Sequence, residues 1–133
     1  MSNLLLAQQA LRNQSFSVFL GAELTRFDSE VELQLPVRPE FMQQNGFIHG
    51  GIISYLADNT LTFAGAIALG RQVLTSEYKI NYLKPAQCDL LIARAIVVGS
   101  GKRQAVCRCD IFSVSGREVL CASAQGTIVA VAN

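Results

Sequence analysis

The chain has 133 residues, with 11 Lys and Arg against 10 Asp and Glu, and its net charge of +1 gives no electrostatic case for binding nucleic acid or an anionic membrane surface. Hydrophobic residues make up 50% and charged residues only 16%, against roughly 25% in ordinary globular domains. That balance excludes a disordered chain and implies one domain over residues 1–133, part of whose surface meets another subunit.

The opening MSNLLLAQQALRNQ has neither the basic start nor the long apolar run of an export signal, so a cytoplasmic protein is expected. Residues 3–14 predict a short amphipathic helix, with Phe16, Phe19 and Leu20 as its anchor to the body. Glu23–Val37 reads as two extended pieces turning near Asp28 and Ser29. In the second piece Val31, Leu33, Leu35 and Val37 alternate with polar neighbours until Pro36 intrudes, the pattern of an edge strand. Arg38–Ile48 is irregular and ends at His49-Gly50-Gly51.

From Gly50 to about Leu69, GGIISYLADNTLTFAGAIAL predicts one long helix, apolar nearly all round and therefore buried. Its polar residues Ser54, Asp58 and Thr62 fall at i, i+4 and i+8 on one stripe. No stretch reaches the ~18 uninterrupted apolar residues of a membrane span, because Asp58, Asn59 and two threonines interrupt this one. Four strand-like segments follow, at about 73–83, 89–99, 103–114 and 118–131, the last two breaks (GSG and VSG) being short enough for hairpins. The sum is an α+β domain, an antiparallel sheet wrapped around one long central helix. A lone apolar helix needs cover on every side, so a dimer is expected.

Cys88, Cys107, Cys109 and Cys121 contain no CxxC pair, and the lone His49 is distant in sequence. Small buried hydrophobes are the expected reading, with no metal and no cofactor. Asp58 is the most informative residue, since an ionisable group in an apolar helix wants either a hydrogen-bond partner or a task. His49-Gly50-Gly51 brings backbone N–H groups to a helix N-terminus, where they can hold a developing oxyanion. Gln43, Gln44 and Asn45 can position water. Thr75 and Ser76 open the strand after the helix. The Gly99-Ser100-Gly101-Lys102-Arg103 turn puts two cations beside flexible backbone and suits a phosphate-bearing substrate. Phe41, Phe47, Tyr55 and Phe63 are candidate lining for an apolar pocket.

Three segments in combination carry a resemblance: Gln43-Gln44-Asn45-Gly46-Phe47-Ile48-His49-Gly50-Gly51, then Leu56-Ala57-Asp58-Asn59, then Thr75-Ser76-Glu77-Tyr78-Lys79-Ile80-Asn81-Tyr82-Leu83-Lys84-Pro85-Ala86. From about residue 16 to 131 the chain resembles hotdog-fold acyl-CoA thioesterases of the phenylacetyl-CoA thioesterase type. The resemblance implies hydrolysis of an acyl-CoA to free acid and CoA. Asp58 would act as nucleophile or general base, the Gly50 N–H would polarise the carbonyl, and Thr75 would help place water or the carboxylate. Gln43 stands where the family often carries Asn, keeping the amide on a longer arm. His49, Gly51, Asn59 and Ser76 would contact substrate, and Gly99, Ser100, Lys102 and Arg103 would lie near the CoA nucleotide. A homodimer, assembled further into a homotetramer, is the expected state. Two other functions fit the same residues: a hotdog enoyl-thioester hydratase or dehydratase, which would need His49 as its catalytic histidine, and a non-catalytic acyl-CoA-binding module.

Overall fold

The computed structural model describes residues 2–70 and 72–131. Helix α1 (Asn3–Arg12) starts where Ser2 accepts the Leu5 N–H at 3.2 Å, and it buries Ala7 and Leu11, one turn apart. It ends at Arg12, two residues before the expected 14, with Asn13 as its C-cap. A second helix that the sequence did not announce, α2 (Ser15–Leu20), follows at once and closes on Gly21 at φ +87°. Its anchors are Ser17 and Leu20. Phe16 and Phe19, expected to be buried, are 59% and 69% exposed, because a six-residue helix turns only one face inward.

Six strands form one antiparallel sheet: β1 (Glu23–Phe27), β2 (Val31–Pro36), β3 (Val73–Tyr82), β4 (Leu90–Ser100), β5 (Gln104–Val114) and β6 (Glu118–Ala130), in the order β1-β2-β4-β5-β6-β3. The expectation that β2 is an edge strand is corrected here, since β1 and β4 flank it and the edges are β1 and β3. Pro36 is tolerated because it is the last residue of β2, two past Gln34 where pairing with β1 ends. Inward positions alternate as the sequence predicts: Ala105, Cys107, Cys109 and Ile111 on β5 are buried, the last three opposite Val97, Ala95 and Ala93 on β4. All four cysteines are free. Burial pushes the Cys107 and Cys121 thiols up to about 11, so both are neutral apolar groups near pH 7.

Helix α3 (Gly50–Leu69) contacts all six strands, so the sheet wraps it in the hotdog arrangement. By length and composition alone this helix could cross a membrane, yet half of its most apolar window is buried inside the protein. Leu56, Ala57, Leu61 and Ala64 pack on the sheet with at most 1% exposure. The preceding segment is less irregular than its sequence suggests. Pro39–Phe41 forms a 3-10 turn, Met42 pairs with Ile48, and the Ile48 N–H donates to the Ala86 carbonyl at 2.8 Å, fixing the entry to α3. Phe41 and Phe63 belong to this core, Phe63 packing edge-on against Phe27, and neither borders the two cavities that lie beside α3 at Gly50 and at Asp58.

Gly65 is what lets α3 approach β6. A Cβ added there would fall well inside contact distance of the Ile128 side chain. Gly65→Ala is expected to destabilise the fold by about 1–3 kcal/mol through overpacking, despite the better helix propensity of Ala. A thermal melt of the variant checks this. A midpoint at or above the wild-type value would show that Ile128 yields freely.

Candidate active site

Helix α3 and edge strand β3 are joined by a seam of polar contacts. The Tyr82 hydroxyl donates to the Gly50 carbonyl at 3.0 Å, Tyr78 Oη lies 2.5 Å from Ser54 Oγ, and Thr75 Oγ1 donates to Asp58 Oδ1 at 2.6 Å. Thr62 Oγ1 sits 2.9 Å from Thr75 Oγ1 and donates to the Asp58 carbonyl at 2.8 Å. The stripe Ser54, Asp58, Thr62 therefore faces β3 as a unit, and its side-chain partners come from the strand.

Strand geometry alone would not allow this seam. Thr75 and Tyr78 are three residues apart, so an uninterrupted pleat would send them to opposite faces. The register between β3 and β6 slips between Thr75 and Glu77, leaving Ser76 as an extra, exposed residue. This β-bulge turns both Thr75 and Tyr78 toward α3. Across the sheet Gly126 makes room for it, since a Cβ there would collide with the Glu77 carbonyl and Tyr78 Cβ.

Asp58 opens into a cavity of about 230 Å³ bounded by Phe16, Tyr55, Asn59, Leu74 and Thr75. Asn59, expected to contact substrate, lines it but has its amide nitrogen engaged elsewhere. It donates to Gln14 Oε1 at 3.0 Å, Ser17 Oγ at 3.2 Å and Tyr55 Oη at 3.1 Å. A second cavity, about 460 Å³, is bounded by Gln43, Phe47, Gly50, Gly51, Tyr82 and Lys84. The two share no residue, and Gly50 and Asp58 are eight positions apart on one helix, about 12 Å along its axis.

At the head of α3, His49 Nδ1 accepts the Gly51 N–H at 2.8 Å and caps the helix. The Gly51 N–H is thereby taken up, while the Gly50 N–H meets no acceptor among the described residues, and Gly50 lines the second cavity. The Gln43 side chain likewise has no hydrogen bond among the described residues. Its backbone is pinned by the Phe47 carbonyl at 2.7 Å in a turn that uses Gly46 at φ +84°. Ser76 lines neither cavity. Nor do Gly99 and Ser100, at the exposed end of β4, or Lys102 and Arg103, exposed in the β4–β5 connection that the Gly101 N–H closes on the Gln104 carbonyl at 2.9 Å. Among the described residues no three His, Cys, Asp or Glu side chains group as metal ligands.

The structure thus brings Asp58, Thr75 and Asn59 together, and separately Gln43, Gly50 and Gly51. It adds Tyr78, Tyr82, Gln14 and Ser17, which sequence reasoning did not single out. The signal for Tyr78 and Tyr82 was present: four residues apart on one strand, they face the same side, as do Gly50 and Ser54 on the helix.

Residues 45–120 match the thioesterase superfamily. A protein of Saccharolobus solfataricus provisionally named an esterase is 30% identical over 127 residues, spanning 91% of this chain and 81% of its own. Among solved structures, a thioesterase family protein from Silicibacter pomeroyi superposes with a TM-score of 0.88 at 32% identity, covering 94% of this chain and 95% of its own. A thioesterase from Haemophilus influenzae superposes with a TM-score of 0.85 at 27% identity, covering 97% and 90%.

Gly50 is not in the left-handed region, and a Cβ there would stand 3.4 Å from the Tyr82 ring, an ordinary contact. Gly50→Ala is therefore expected to fold with stability within about 1 kcal/mol of wild type. The added methyl lies in the cavity beside the free N–H, so thioesterase activity should fall by at least about tenfold. Paired melting and activity measurements check the separation. Full activity in the variant would mean that no substrate atom approaches this N–H.

Proposed function

Since the chain belongs to the thioesterase superfamily and is a thioester hydrolase, we propose that it cleaves acyl-CoA thioesters to free acid and CoA at sites shared between two copies of the chain. The observation that carries this reading is the division of the site. The carboxylate and the free N–H lie in separate cavities about 12 Å apart along α3, too far for one thioester carbonyl to touch both. Two α3 helices packed antiparallel about a two-fold axis would set Gly50 of the partner subunit beside Asp58. β3, the unpaired sheet edge that borders both cavities, supports such an association. Pairing of two dimers into a homotetramer belongs to the same reading and is read from the mass in solution.

Thr75 holds one carboxylate oxygen of Asp58 and so orients the group. Asp58 takes a proton from water as the water oxygen attacks the carbonyl carbon. The C=O electron pair moves onto oxygen, where Gly50 of the partner subunit donates its N–H. Collapse restores the C=O, breaks the C–S bond and expels CoA as thiolate, which takes the proton from Asp58. A thioester lacks much of an amide's resonance, so one base and one oxyanion donor suffice. Gln43, whose side chain is unengaged in the Gly50 cavity, supplies an amide to hold the attacking water.

Thiol release from a panel of acyl-CoAs tests the reaction. Hydrolysis is expected for wild type. For Asp58→Asn, which keeps shape but cannot take a proton, the expected loss is at least about 10²-fold. Undiminished turnover in that variant would remove Asp58 from the chemistry. Hydration of an enoyl-CoA without thiol release would assign the hydratase reaction, and binding without turnover would leave a binding module.

The shared site is tested by mixing Asp58→Asn with Gln43→Ala, each first shown to be inactive alone. In a heterodimer one site collects both lesions and the other neither. Random reassortment makes about half the dimers mixed, so activity is expected to return to roughly a quarter of wild type. A mixture that stays inactive after verified subunit exchange would mean that each site is built within one chain.

A further inference from the structure

Resting on the hydrolase reading above, we propose that Phe16, on the short helix α2, is the stop that limits how long an acyl chain the Asp58 cavity accepts. A thioester has two unlike arms, a polar one carrying phosphates and an uncharged acyl one. The cavity at Asp58 is bounded by no Lys, Arg or His, and its apolar lining is Phe16, Tyr55 and Leu74. The Gly50 cavity contains Lys84. Lys84, the one cation on either cavity, draws the phosphate-bearing arm to the Gly50 side despite the apolar Phe47, Ile53 and Leu83 there, and this leaves the Asp58 side for the acyl arm.

Phe16 and Leu74 form the outer rim of that cavity, at 59% and 62% exposure, while Tyr55 and Asp58 are half-buried. The Phe16 ring stands edge-on to Tyr55, with centroids 5.3 Å apart and planes at 89°. A ring on a six-residue surface helix could block a chain only if that helix were tied down, and here it is. Tyr55 Oη donates to Ser17 Oγ at 2.5 Å, Ser17 Oγ donates to Gln14 Oε1 at 2.6 Å, and Asn59 donates to all three side chains. Ser17 and Asn59 are 1% and 8% exposed, so these bonds are shielded from water. Asn59 directly follows Asp58, which fixes the height of α2, and of Phe16, relative to the carboxylate. An acyl chain that runs outward from Asp58 past Tyr55 meets the Phe16 ring.

Chain-length profiles of kcat/KM, from acetyl- to hexadecanoyl-CoA, test this in the full chain. Phe16→Ala is expected to raise the ratio of dodecanoyl- to hexanoyl-CoA hydrolysis at least about tenfold. Phe16→Trp should lower the ratio of octanoyl- to acetyl-CoA hydrolysis by a similar factor. Circular dichroism of both variants guards against misfolding, and ratios within one enzyme are insensitive to the fraction folded. Ratios within about twofold of wild type in both variants would overturn the proposal while leaving the hydrolase reading intact. Absence of Asp58-dependent hydrolysis for every acyl-CoA would overturn both, and is recognised from wild type and Asp58→Asn alone.

Discussion

Everything near the site depends on one contact, the Thr75 hydroxyl on the Asp58 carboxylate at 2.6 Å. A carboxylate in a helix wrapped by a sheet must find polar company, and the nearest backbone donors are taken up by the helix itself. The partner has to come from a strand. Thr75 can reach only because the bulge at Ser76 changes the phase of β3, and the bulge fits only because Gly126 has no side chain to obstruct it. The same phase carries Tyr78 to Ser54 and Tyr82 to Gly50. A local irregularity of one residue thus arranges a seam three turns of helix long.

The seam also lies along an edge of the sheet. β3 is a sheet edge, and Leu74 and Tyr82, at 62% and 53% exposure, each border one of the two cavities. Exposed edges are usually blunted by charge or by a covering segment. On β3 the exposed Glu77 and Lys79 and the bulge at Ser76 supply such blunting, while Leu74 and Tyr82 leave apolar surface that the proposed second α3 would cover.

Helix α2 shows how a short, marginal element becomes a precise one. Six residues cannot hold a helix in water by themselves. Gly21 closes it, and the network of Gln14, Ser17, Tyr55 and Asn59, centred on the buried Ser17 and Asn59, ties it to α3 beside the carboxylate. Hydrogen bonds away from water are worth more to the fold than exposed ones, because breaking them leaves buried groups unpaired.

Much of this was legible in the amino-acid order. Long-period patterning over Gly50–Leu69, alternation in the later strands and the Gly-Gly at a helix head are local signals, and each element formed within a few residues of its expected bounds. Asp58 declared itself by being charged among apolar neighbours, and the stripe with Ser54 and Thr62 declared a polar face. What occupies that face was not readable, since pairing between a helix and a strand 17 residues away depends on register, and one bulge reverses it. The edge position of β3, the burial of Phe41 and Phe63, the exposure of Phe16 and the removal of the Gly99–Arg103 turn from both cavities are likewise long-range outcomes. Sequence determined most of the segments that are helix or strand and which side chains are candidates for chemistry, because those follow from neighbours along the chain. Tertiary structure alone decided which of those side chains meet, because that follows from strand order and phase, quantities no single segment contains.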